Sequence, residues 1–111
     1  MYIWGQLNDA NNQLAFIEQN LIELEKEGKF AIILGHIPDE CSHEYSERLR
    51  AVFERFQKTI RISMFGHTHT DLFKVTSAVE NNLPTSVFTV CGSITTWGSL
   101  NPSYCEYEVD K

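Results

Sequence analysis

No apolar run in this chain is long enough to cross a bilayer. Its first residues, Met1-Tyr2-Ile3-Trp4-Gly5, have no basic region leading into a long hydrophobic core, so a signal peptide is not expected there. Tyr2-Ile3-Trp4 reads instead as a strand whose partners lie in sequence outside the chain. Basic clusters are missing as well. Nine Lys and Arg stand against fifteen Asp and Glu, for a net charge of −6. That balance argues against a general nucleic-acid surface, which needs grouped cations. It leaves phosphate substrates open, because bound metal ions can dominate a local field. Three cysteines, Cys41, Cys91 and Cys105, include no Cys-x-x-Cys pair and make no self-contained zinc motif. Cys91 and Cys105 are compatible with a bridge between adjacent strands and equally with buried free thiols. Repeats and low-complexity linkers are absent, so residues 1–111 read as one continuous piece.

What is present is globular in composition, 42% hydrophobic and 22% charged. Leu14, Ile17, Leu21 and Leu24 recur at helical spacing, with capping residues at positions 8–12 before them and Gly28 as a stop. Phe30-Ala31-Ile32-Ile33-Leu34 is a continuous apolar run, the pattern of a strand covered on both faces. Residues 44–58 predict a second helix with Leu49, Val52, Phe53 and Phe56 on one side, and Arg48, Arg50 and Arg55 on a solvated face. Residues 60–65 predict the next strand. Residues 72–79 and 86–90 predict a hairpin turned at Asn81-Asn82 and Pro84. Residues 104–109 predict a last strand. The order is that of an α/β fold.

Two of these strands end in the same way. Residues 30–34 run into Gly35-His36-Ile37-Pro38, and residues 60–65 run into Gly66-His67-Thr68-His69-Thr70-Asp71. A glycine at a strand end permits a sharp turn and a close backbone approach. The histidine after it is then presented at the carboxyl end of the strand, where open α/β sheets bind ligands. His67 and His69, two residues apart, sit too far apart for easy chelation of one ion. They suit two ions about 3.5–4 Å apart, as in two-metal hydrolytic sites. His36, His67 and His69 are therefore the candidate metal ligands. His43 matches no motif and reads as a surface histidine at a helix start. Asp71 is placed either to orient an imidazole or to cap its own turn. Thr68, Asn101, Tyr104 and Ser93-Ile94-Thr95-Thr96 supply hydroxyls and an amide suited to phosphate or head-group oxygens, and Trp97 offers an aromatic wall.

These motifs, with Ser93-Ile94-Thr95 and Leu100-Asn101-Pro102-Ser103-Tyr104 following in order, resemble the calcineurin-like metallophosphoesterases. The closest branch is the acid sphingomyelinase-like phosphodiesterases, which Asn8-Asp9 and Gln13-Leu14 also resemble. The likeness covers nearly the whole chain but only the carboxyl-terminal part of the family's catalytic domain. It implies half of a four-layer αββα sandwich. It also implies two divalent ions, zinc favoured over iron or manganese, with His36 and His67 on one ion and His69 on the other. By the same resemblance the substrate is a phosphodiester small molecule or lipid head group, and the compartment is secreted or lysosomal. Cys41 stands where the branch often has a disulfide-bonded cysteine. The family's Asp-x-His, Gly-Asp-x-x-Asp and Gly-Asn-His-Glu or -Asp motifs are not found here. With only four histidines the chain cannot replace them, so it holds about half an active site. Two other readings compete: an inactive half-domain used as a binding module, and a single three-histidine metal site without hydrolysis.

Overall fold

The computed structural model describes residues 9–38, 43–78 and 80–110. The strand expected at residues 2–4 and the role expected for Cys41 lie outside the described residues. A 3-10 turn, Ala10–Asn12, leads into α1, Gln13–Lys26. Asp9, ahead of that turn, reaches the start of α1: its carboxylate accepts hydrogen bonds from the amides of Leu14 (2.8 Å) and Ala15 (2.9 Å). Desolvation works to raise the Asp9 pKa, but those amide bonds and the Arg48 charge outweigh it and hold the carboxyl below its ordinary value. The helix stops where Gly28 adopts a φ of +65°. Then come β1, Ala31–Leu34, α2, His43–Arg55, and β2, Ile60–Phe65. The hairpin follows as β3, Leu72–Ser77, and β4, Pro84–Val90. Its turn is built on Asn81-Asn82 as expected, with Asn82 at φ 56° and the Asn81 side chain accepting from the Leu83 amide at 3.0 Å, but Pro84, expected in the turn, opens β4 and pairs with Ser77.

The four strands form one sheet in the order β1-β2-β4-β3, with β1, β2 and β4 parallel and β3 antiparallel to β4. Registry sorts the side chains onto two faces. One face carries Ala31, Ile33, Phe65, Phe88 and Val90, and α1 and α2 cover it with Leu14, Leu21, Leu49 and Phe53, joined by Phe56 just past the end of α2. Phe65 meets Phe88 edge to face, with ring centroids 5.5 Å apart. The two helices are also tied by the paired Arg55–Glu25 contacts at 2.9 Å. As an exposed pair, this adds little.

The opposite face is bare. Ile32 pairs with Ile62, Leu34 with Met64, Phe73 with Thr89 and Val75 with Val87, and nothing described packs over them. Leu34 is 75% exposed and Phe73 73%. The expectation that β1 is covered on both faces is therefore corrected: an apolar run shows that two faces want cover, not that these residues provide it. A second correction concerns residues 104–109, which lie outside the sheet. Cys105 is bonded to Cys91, just past the end of central strand β4. That bond fixes the segment at the rim, away from the open edges at β1 and β3. The disulfide also settles the two readings of Cys91 and Cys105. Arg50, read as solvated, is instead partly buried and donates to the Ser77 carbonyl at 3.3 Å.

Candidate functional site

Since β1 and β2 are parallel neighbours, their Gly-His ends fall on the same rim. The turns are joined by backbone hydrogen bonds, Gly35 N to Met64 O (3.0 Å) and Gly66 N to His36 O (2.9 Å). The His36 and His67 rings consequently lie edge to face with centroids 5.3 Å apart. His67 has φ 73°, and Thr68 N donates to Gly66 O at 2.9 Å, closing a γ-turn. Positive-φ γ-turns are rare and strained, and they concentrate at functional sites. His69 is also left-handed, at φ 60°. Two such histidines in one turn re-aim the imidazoles away from plain strand alternation.

His69 is the most enclosed of the three. Its ring stands edge to face with Trp97 at a centroid distance of 6.0 Å. Its Nδ1 atom is buried and has no hydrogen-bond partner among the described residues. A buried imidazole nitrogen without a partner is unusual and calls for an explanation; an ion bound there is one that fits. Imidazole is a suitable donor for zinc, iron or manganese. Among the described residues, though, no three His, Cys, Asp or Glu side chains come together as one set for a single ion. The histidines thus fit a partial ligand set completed by other groups, and fit poorly a self-sufficient three-histidine site.

The other sequence candidates are arranged unevenly. Thr68 is exposed, its hydroxyl 2.9 Å from that of Thr70. Asp71 is exposed and, among the described residues, bonds neither to an imidazole nor to its own turn. Asn101 is exposed in the loop between the two bridged cysteines. His43 opens α2, and its side chain lies outside the described residues.

Sequence reasoning missed the seat beneath His69. A Cβ on Gly92 would fall onto Ser103 Oγ and come within 3.6 Å of the His69 carbonyl. Ser103 N donates in turn to Ser93 O at 2.8 Å. The signal was available: all three parallel strands run into a glycine, at positions 35, 66 and 92. At Gly35 a Cβ would sit 2.5 Å from Phe65 Cε1, and Phe65 is held in the core. Gly35→Ala is expected to destabilise the fold by about 1–3 kcal/mol. In urea melts it should lower the midpoint at constant slope.

The chain is 32% identical over 115 residues to sphingomyelin phosphodiesterase 1 of Caenorhabditis elegans, with 98% of this chain and 20% of that protein aligned. It is 36% identical over 111 residues to the Bos taurus sphingomyelin phosphodiesterase, covering 96% of this chain and 18% of the relative. Human acid sphingomyelinase-like phosphodiesterase 3b is 24% identical over 126 residues, covering 96% of this chain and 28% of that protein. No family model matches. The mixed α/β fold with its four-stranded sheet is compatible with part of a phosphoesterase domain. The chain fits the acid sphingomyelinase-like branch, since relatives matched at 30–36% identity over nearly its whole length are named sphingomyelin phosphodiesterases. It spans about a fifth of the length of the first two of these relatives.

Proposed function

We propose that these residues are the histidine-bearing part of a metal-dependent phosphodiesterase of the calcineurin-like kind, acting on a phosphodiester lipid such as sphingomyelin. The observation that carries this is the shared rim, with two hydrogen-bonded Gly-His turns and the buried, unpartnered Nδ1 of His69. Two divalent ions, zinc by preference, would supply charge neutralisation at the phosphoryl oxygens and an acidified water. His36 and His67 serve one ion and His69 the other. Thr68 and Asn101 offer a hydroxyl and an amide to the polar oxygens of the substrate. The carboxylate and amide ligands that complete the set belong to segments beyond these residues, and this chain alone does not hydrolyse.

The bare sheet face supports the same reading. Ile32, Leu34, Phe73, Val75 and Val87 form an apolar surface of the kind another sheet covers at about 10 Å spacing. A second sheet there completes the four-layer sandwich. The test is hydrolysis of sphingomyelin by the longer protein that carries this chain, before and after exhaustive chelation and zinc return. Loss on chelation and recovery with zinc are expected, with no turnover by the 111-residue chain alone. Turnover that survives chelation would remove the metal role. A longer protein that hydrolyses no phosphodiester would leave the binding-module reading in its place.

A further inference from the structure

Residues 92–104 contain no Asp, Glu, Lys or Arg, in a chain whose net charge is −6. They are not slack. The Cys91–Cys105 disulfide ties their ends together, and Ser103 N to Ser93 O adds a cross-link at 2.8 Å. Inside the loop, Thr95 N donates to Ser93 Oγ (3.2 Å) and Trp97 N to Thr95 Oγ1 (3.3 Å), ahead of a 3-10 turn at Trp97–Ser99. Part of the loop's backbone demand is thus met from within. What it turns outward is apolar: Ile94 is 81% exposed, Trp97 77% and Tyr104 83%. Trp97 also stands edge to face with His69, so this surface adjoins the histidine rim.

We propose that this disulfide-closed loop is a lipid-surface element, laying Ile94, Trp97 and Tyr104 into the head-group boundary of a zwitterionic bilayer. The inference rests on the phosphodiester-lipid reading above and adds how the rim reaches a substrate embedded in a membrane. Trp and Tyr favour that boundary because their rings are apolar and carry a polar handle. The charge pattern selects the lipid: with no Lys or Arg in the loop to pair with anionic head groups, its contact rests on apolar insertion. Three projecting side chains fall far short of the roughly 20–30 residues a side in a stable protein interface. Shallow insertion needs no more. A preformed loop also avoids the entropy of ordering on contact.

The test uses vesicles of phosphatidylcholine and sphingomyelin. The chain has two tryptophans, so Trp4→Phe leaves Trp97 as the sole indole reporter. Its emission should shift to the blue on vesicles and be quenched by brominated lipid. Replacing both Ile94 and Tyr104 by Ser should lower the partition coefficient about tenfold, from the loss of apolar insertion. Both sites are exposed, and far-UV circular dichroism reports that the fold is kept. Leu34→Ser with Phe73→Ser, on the bare sheet face, should leave partition unchanged. Three results would overturn the proposal: a Trp97 spectrum indifferent to vesicles, binding lost with the sheet-face pair but kept with the loop pair, or binding that requires phosphatidylserine and disappears in high salt. Partition is read without turnover, so the two readings separate. Vesicle binding by a longer protein that hydrolyses no diester keeps the loop and removes the phosphodiesterase. Hydrolysis of a soluble diester without vesicle binding does the reverse.

Discussion

His69→Ala in the longer protein should lower phosphodiesterase kcat/KM by about a hundredfold or more, since loss of a group that merely orients a metal ligand already costs about 10–100-fold. Bound metal measured by atomic emission should fall with it. His67→Ala should behave alike. The wild-type His67 holds φ at 73°, a conformation that costs a non-glycine residue free energy. His67→Gly would remove the proposed ligand and relieve that strain together. It should therefore be as inactive as His67→Ala yet more stable, a divergence that a purely structural role would not produce. His43→Ala is the control. It stands at the first position of α2 and matches neither Gly-His turn, so metal content and rate should stay near wild type. Unchanged metal stoichiometry and turnover in the His67 and His69 variants would end the ligand assignment.

The shared rim of Gly-His turns was legible because its information is local. Gly35-His36 and Gly66-His67 each follow an apolar run, and a glycine that ends a strand says where the next side chain will stand. Parallel pairing of β1 with β2 then brings the two ends together. The hairpin was legible for a similar reason, since Asn81-Asn82 supplies both an Asx contact and a left-handed residue. What was illegible depended on neighbours. Residues 104–109 have the composition of a strand, but strand formation needs an open edge alongside, and the bond to Cys91 holds them elsewhere. Phe30-Ala31-Ile32-Ile33-Leu34 reads the same whether its second cover comes from this chain or from another segment. The surroundings of His69 include Trp97, which is far along the chain, although the glycine at 92 marked the place.

Two phenylalanines on opposite faces of the sheet should respond in opposite ways, and the contrast tests the four-layer arrangement. Phe56, the residue just after α2, is 2% exposed in the core. Its carbonyl accepts from Thr59 N (2.8 Å) and Ile60 N (2.9 Å), anchoring the turn into β2. Phe56→Ala should cost about 3–5 kcal/mol, the range for emptying a buried aromatic site. Whole domains are stable by only about 5–15 kcal/mol. A chain with one sheet face bare sits low in that range, so Phe56→Ala should leave the 111-residue chain largely unfolded at 25 °C by circular dichroism. Phe73, on β3, points to the bare face. Phe73→Ala in the same chain should change stability by less than about 0.5 kcal/mol, as surface substitutions do. In the longer protein a second sheet would cover Phe73, and the same substitution should then cost about 3–5 kcal/mol. The difference between the two backgrounds measures the cover directly, without reference to catalysis. Equal small effects in both would mean that the face stays open to solvent, and the sandwich would have to be abandoned. A large effect in the 111-residue chain alone would mean that copies of that chain already bury the face in one another, which its sedimentation velocity would reveal.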